Sequence, residues 1–211
     1  VDVFFAGLQG GAPGDDPIER PEELAERAAD EDNALSMLPA APFIHGSAQW
    51  TSWICLFTGG KLVLQPGRSF DPRRICELIA EEELTTLSVV GDAMARPLAE
   101  ALGSGEYDTD TLVCVASAGA VLTPAVRERL EELLPDTMIM NNFGASETGH
   151  QGAAIPGDDT GAEGRPSFYM DESNVVLGED LRPMKRGTGE LGRLARTGRL
   201  PLGYYKDPVK T

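Results

Sequence analysis

Thr137-Met-Ile-Met-Asn-Asn-Phe-Gly-Ala-Ser-Glu-Thr-Gly-His150 is the stretch on which the reading of the fold turns. Its first four residues are apolar or β-branched and predict a short buried strand, Thr137 to Met140. Gly144 and Ala145 add almost no side-chain bulk, so a ligand could approach the backbone there. A hydroxyl, a carboxylate and a second hydroxyl follow at Ser146, Glu147 and Thr148. A strand that ends in an aromatic, a glycine and oxygen-bearing side chains suits the carboxyl edge of a parallel sheet.

Upstream of this stretch, strand and helix signals alternate. Leu35 to Pro42 predicts a short strand and a turn. Ser47 to Phe57 predicts a helix, with Trp50, Trp53, Ile54 and Phe57 on one face, Trp53 and Phe57 being expected to pack in the core, and Gly59 closing it. Lys61 to Leu64 predicts a strand ended by Pro66-Gly67. Asp71-Pro72 is an N-cap followed by proline at the first helical position, and Ile75, Leu78 and Ile79 supply a buried stripe. Leu84 to Val90 predicts a strand, Asp92 to Leu102 a helix, and Leu112 to Ala116 a strand. Thr123-Pro124 repeats the cap-plus-proline signal, with Val126, Leu130 and Leu133 facing inward. Such alternation predicts βαβ units, hence an α/β fold with a parallel sheet flanked by helices. After His150 the texture becomes loop-rich. Short strands are expected at Val175 to Leu177 and Glu190 to Ala195, in a small β-rich, barrel-like subdomain. The expected division is residues 1–160 for the α/β part and 161–211 for the β-rich part. Nearer the start, Val1 to Phe5 looks like one helix face, Gly7 to Gly14 makes a loop, and Glu22 to Asp30 fits a helix.

Composition narrows the function. A hydrophobic fraction of 41% over 211 residues supports a real core. No apolar run reaches membrane-spanning length, which points to a soluble, cytoplasmic protein. A formal net charge of −16 argues against a nucleic-acid partner. Nine carboxylates lie between Asp15 and Asp32, a solvated acidic face, while the last segment is basic. Cys55, Cys76 and Cys114 are far apart and sit in apolar segments, so they are expected to be reduced packing residues, neither a disulfide framework nor a zinc site. The presence of a homo-oligomer stays open at this level.

Four stretches carry candidate chemistry. Hydroxyls such as Ser146 suit phosphate oxygens, and the Glu147 carboxylate suits Mg²⁺. On residues alone, a polar loop closing a strand is the plainer reading. Ser117-Ala-Gly-Ala-Val-Leu122 lies before a capped helix whose start favours an anion, though on residues alone a tight β–α turn is the plainer reading. Pro42-Phe-Ile-His45 places a histidine before a helix, where it can line a pocket or simply pack. Gly144-Ala-Ser146-Glu-Thr148 approaches the nucleophile elbow of serine hydrolases, but the last glycine and the long following helix are missing. His45 and His150 are the only histidines, with no metal-ligand spacing between them.

Taken in order, these stretches resemble the adenylate-forming enzymes: acyl-CoA synthetases, adenylation domains of peptide synthetases, and luciferases. Phe143-Gly-Ala-Ser-Glu-Thr-Gly149 is similar to their aromatic-Gly-x-Thr/Ser-Glu motif. The resemblance implies that Phe143 packs on adenine, Ser146 binds the α-phosphate and Glu147 ligates Mg²⁺, with Asn142, Gly144 and Ala145 also bordering the nucleotide. It implies that Gly119, Ala120 and Val121 border the adenine and acyl groups, and that His45, Trp50, Gly119 and Gly144 face the acyl substrate. Gly187-Thr-Gly-Glu190-Leu-Gly192 and Gly203-Tyr-Tyr-Lys-Asp-Pro208 resemble two further family motifs. The wording of Met37–Trp50 and of Val89–Arg96 is similar to bacterial synthetases of the long-chain fatty acid and steroid side-chain type.

The implied reaction uses ATP, Mg²⁺ and coenzyme A, and turns a fatty acid or steroid side-chain carboxylate into acyl-AMP and then a thioester. The family's phosphate loop would precede Val1, and its ribose-binding aspartate and catalytic lysine would follow Thr211. The expectation is therefore the middle of a larger enzyme, inactive by itself. Alternatives are a non-catalytic acyl- or nucleotide-binding module and, remotely, a serine hydrolase.

Overall fold

The structure, a computed structural model, describes residues 20, 22–29, 35–67, 69–154, 167–185, 187–198 and 200–211. The expectations for Val1–Phe5, the early glycine loop, most of the acidic run and the 160/161 boundary lie outside these residues.

Helix α1 (Glu22–Ala28) leads into β1 (Ser36–Pro39), α2 (Gly46–Phe57) and β2 (Lys61–Leu62). Then come α3 (Pro72–Glu81), β3 (Thr86–Val89), α4 (Gly91–Ser104), β4 (Cys114–Ser117) and α5 (Pro124–Leu133). The order closes with β5 (Met138–Ala145), β6 (Gly149–Ala154), β7 (Asn174–Leu177) and β8 (Arg193–Arg196). One six-stranded sheet runs β2-β1-β3-β4-β5-β6, and β7 pairs with β8 in a second. The pairs β2–β1, β1–β3, β3–β4 and β4–β5 are parallel.

The register puts Leu38, Leu87, Val115 and Ile139 side by side, all fully buried. They share one cluster with Ile75, Ile79, Leu98, Val126 and Leu130, so α3, α4 and α5 close that face. The expected cap of α3 is formed: the Arg74 backbone N–H donates to the Asp71 carboxylate at 3.2 Å, with Pro72 at the first turn. Its predicted stripe is buried. Cys55 and Cys76 are buried, Cys114 is half-buried, and all three are free thiols. Burial pushes the Cys76 thiol up to about 12 and that of Cys114 to about 11. Those thiols stay protonated, as packing residues should.

Two expectations are corrected. First, β5 continues through Asn142, Phe143, Gly144 and Ala145, and the following residues form β6, antiparallel to β5. The glycines and alanines of Gly149–Ala154 have no strand preference of their own; backbone pairing with β5 creates the strand. A strand at this position also excludes the strand–turn–helix of a nucleophile elbow. Second, Trp53 and Phe57 of α2 face outward, while Trp50 and Ile54 are half-buried. Ala48, Ser52 and Cys55 are its buried residues, while Trp53, Leu56 and Phe57 are 46%, 48% and 43% exposed. The small face lets α2 sit close to β1 and β2, and the buried Ser52 hydroxyl is satisfied by the Ala48 carbonyl at 2.6 Å. The final segment carries the expected small β-rich part, a two-stranded antiparallel sheet of β7 and β8. It joins the large sheet through Tyr169, whose backbone exchanges hydrogen bonds of 2.9 and 3.2 Å with Ala153 on β6.

Candidate functional site

Strands β1, β3, β4 and β5 run in the same direction, so the segments that leave their carboxyl ends gather at one edge. They are Pro42–Gly46 after β1, Gly91-Asp92 after β3, Ala118–Thr123 after β4 and the Ser146–Thr148 turn after β5. Candidate residues distant in sequence meet here because a parallel sheet has only one carboxyl edge.

The β5–β6 hairpin presents Ser146 and Glu147 at its tip, both exposed. The Thr148 N–H donates to the Ala145 carbonyl at 3.1 Å, and its hydroxyl to Gln151 Oε1 at 2.9 Å, which fixes the turn. A side chain at Gly144 would run into the Gly149 carbonyl oxygen across the hairpin. The glycine is therefore demanded by the returning strand, a role the sequence reading assigned to an approaching ligand. The pairing shifts register between Phe143 and Gly144, and such an irregularity re-aims the side chains around it. Phe143 is half-buried, its ring centroid 4.7 Å from that of Phe168.

The hairpin tip stands beside the start of α2. A methyl on Gly46 would lie 3.6 Å from Ser146 Oγ and 3.6 Å from the Trp50 ring. His45 is the exposed N-cap of α2, in extended conformation and with no side-chain cap bond. Its N–H donates to the Pro42 carbonyl at 2.9 Å. His45, Trp50 and Ser146 thus share one corner.

On the other side of β5, Asn142 Nδ2 donates to the Ser117 carbonyl at 3.5 Å, and its Oδ1 lies 3.3 Å from His150 Nε2. The Arg196 guanidinium donates to the His150 carbonyl. Desolvation, reinforced by the Arg196 charge and opposed by Asp171, lowers the His150 pKa below its ordinary value. Gly119, Ala120 and Val121 are exposed in the loop after β4. That loop is tied to the start of α4: the Asp92 N–H donates to the Val121 carbonyl at 2.9 Å, and the Gly91 N–H to Ser117 Oγ at 3.0 Å.

Sequence reasoning missed two partners. Tyr204, in the Gly203–Pro208 stretch, donates its phenol proton to the Glu147 carboxylate. That bond, with the backbone hydrogen bonding at Glu147, holds the carboxyl below the ordinary range, and the same bond raises the Tyr204 phenol. Asp92, read as a helix start, is the anchor of the 118–123 loop. No local pattern marks either contact, since they join residues 57 and 31 positions apart.

Among the described residues no cluster of three or more His, Cys, Asp or Glu side chains could hold a metal. The hairpin offers one carboxylate and two hydroxyls. This does not make a protein cage, but it fits a hard cation that brings water and phosphate oxygens as its other ligands.

The sequence pattern of the AMP-binding enzymes, described as "AMP-binding enzyme", matches residues 21–205. The chain belongs to this family. Among relatives, a 3-oxocholest-4-en-26-oate–CoA ligase of Rhodococcus rhodochrous is 39% identical, over 90% of this chain and 35% of its own length. A medium/long-chain-fatty-acid–CoA and 3-oxocholest-4-en-26-oate–CoA ligase of Mycolicibacterium smegmatis is 37% identical, over 99% of this chain and 38% of its own. The chain thus spans little more than a third of these relatives. In fold it is similar to a putative long-chain-fatty-acid CoA ligase of Rhodopseudomonas palustris, with TM-score 0.68 and 22% identity over 90% of this chain and 46% of the other. An amide bond synthetase of Marinactinospora thermotolerans gives TM-score 0.71 at 21% identity, over 99% and 39%. As an AMP-binding family member, the chain has the mostly parallel α/β sheet and small antiparallel sheet described above. No helix of the described residues is long and apolar enough to cross a membrane.

Proposed function

We propose that this chain is the nucleotide- and acyl-binding part of an ATP-dependent acyl-CoA synthetase acting on a long-chain fatty acid or a steroid side-chain carboxylate. The names of the relatives support that substrate class. The observation that carries the residue roles is the meeting of Ser146 with Gly46 and Trp50 at the carboxyl edge, one hairpin turn from Glu147.

A carboxylate oxygen bonds to the α-phosphorus of ATP while the bond from that phosphorus to the pyrophosphate oxygen breaks. The CoA thiolate then attacks the acyl carbon, AMP leaves, and a thioester remains. Charge neutralisation and in-line placement dominate the first step. In this reading Ser146 hydrogen-bonds the α-phosphate, and Phe143, Asn142, Gly144 and Ala145 border the nucleotide. Gly119, Ala120 and Val121 line the adenine and acyl junction, and His45 and Trp50 face the acyl end. Mg²⁺ held by Glu147 and phosphate oxygens would supply positive charge. The outward stripe of Trp53 and Phe57, stacked at 5.7 Å, extends from Trp50 as an apolar wall for the chain. Residues 1–160 form the α/β part and 161–211 the β-rich part, and supply of ATP and CoA implies a cytoplasmic location.

Calorimetry with a fatty acyl-sulfamoyl adenosine, a stable acyl-adenylate mimic, tests the reading. Micromolar binding, weakened by Trp50→Ala, is expected. Absence of binding overturns it, and labelling of Ser146 by a fluorophosphonate would favour the hydrolase instead. If the chain does turn over ATP and a fatty acid, the inactive binding-module alternative falls.

A further inference from the structure

The start of α5 was expected to favour an external anion. The structure supplies an internal one. Thr123, the N-cap of α5, makes no side-chain cap bond to its own helix. Its N–H donates to Asp92 Oδ1 at 2.8 Å and its hydroxyl to Asp92 Oδ2 at 2.8 Å. Asp92 itself lies in the first turn of α4. One carboxylate therefore sits at the amino ends of two helices, where their dipoles favour negative charge.

The connection between the two helices is held at several further points. The Asp92 N–H binds the Val121 carbonyl, and the Gly91 N–H binds the buried Ser117 hydroxyl. Gly91 takes φ of +48°, and a methyl there would come within 2.5 Å of the Val121 oxygen and 2.8 Å of Ala120. The loop is pinned at Ala118, Val121 and Thr123, while exposed Gly119 and Ala120 make no hydrogen bond among the described residues. Their backbone edges are held in place but left open.

We propose that Asp92, acting through Thr123, is a positioning residue for nucleotide recognition: it sets the open backbone of Gly119–Val121 against which an acyl-adenylate lies. This rests on the proposed function above. Arg96 also reaches Asp92 Oδ2, at 2.8 Å, but from an exposed position and without contact to the loop. It serves as an internal control.

The test measures two quantities on the whole chain: amide exchange across residues 118–123, followed by mass spectrometry, and affinity for the acyl-sulfamoyl adenosine. Asp92→Asn and Thr123→Val are each expected to speed exchange and weaken affinity about tenfold, the size of one lost charge-assisted hydrogen bond. Thr123→Ser should restore both, and Arg96→Ala should change neither. Unchanged exchange in Asp92→Asn and Thr123→Val overturns the proposal. Faster exchange with unchanged affinity overturns the recognition role. If the unaltered chain binds no adenylate mimic, the proposed function fails and the recognition role falls with it, while the exchange result still decides whether Asp92 orders the loop.

Discussion

The two connections that flank the site are built in opposite ways. The 118–123 loop is clamped by Ser117, Gly91, Asp92 and Thr123, and its bonds are made to parts of its own fold. The 146–148 turn is pinned at its base by Thr148, while Ser146 and Glu147 stand in solvent and Glu147 finds its partner in the distant Tyr204. One connection spends its polar groups on conformation; the other leaves Ser146 and Glu147 at the surface. Substitutions in the first should be read mainly in stability and order, and in the second mainly in binding.

The strongest way to break this contrast is Gly91→Ala. A non-glycine residue at positive φ, with a methyl against backbone atoms that cannot move away, should cost about 3 kcal/mol in urea denaturation. A loss below about 1 kcal/mol would mean the junction is looser than drawn.

Next comes pH. Partial burial raises the Asp92 carboxyl, but the Thr123 N–H and hydroxyl and the Arg96 guanidinium together bring it below the ordinary range. A depressed carboxylate contributes stability in full above the unfolded value of about 3.9, and loses it as pH falls through the lower folded value. The stability gap between the unaltered chain and Asp92→Asn, about 1–2 kcal/mol at pH 7, should therefore close progressively below about pH 4. A gap that stayed constant into acid would show that the charge is not what matters.

Smaller effects sharpen the other side. Glu147→Ala should leave the denaturation midpoint nearly unchanged, because the side chain is exposed, yet it should weaken retention of Mn²⁺ with ATP in electron paramagnetic resonance. Tyr204→Phe should have the least effect on stability, with no resolvable shift of the denaturation midpoint, because the side chain is exposed. A large loss there would make the 203–211 segment a structural strap.

Much of the fold was legible because its signals are local. The Asp71-Pro72 cap and the Ile75, Leu78 and Ile79 stripe act within one helix, and both are as expected. The α2 stripe shows the limit. Trp50, Trp53, Ile54 and Phe57 do share a side, but periodicity cannot tell whether that side meets the sheet. The small Ala48, Ser52 and Cys55 side does, since it permits the closer approach. Strand β6 was invisible because its pairing with β5, and no preference of Gly149-His-Gln-Gly-Ala-Ala154, makes it a strand.

By itself, then, the sequence determined the alternation of strands and helices, the parallel sheet it requires, and the residue types gathered near Ser146 and Glu147. Those follow from capping, periodicity and short connections, which act over a few residues. Tertiary structure alone decided which face of α2 is outside, why Gly144 must be glycine, and which partners Asp92 and Glu147 take. Each depends on a contact across the fold, where the approach of another backbone or side chain sets the energy.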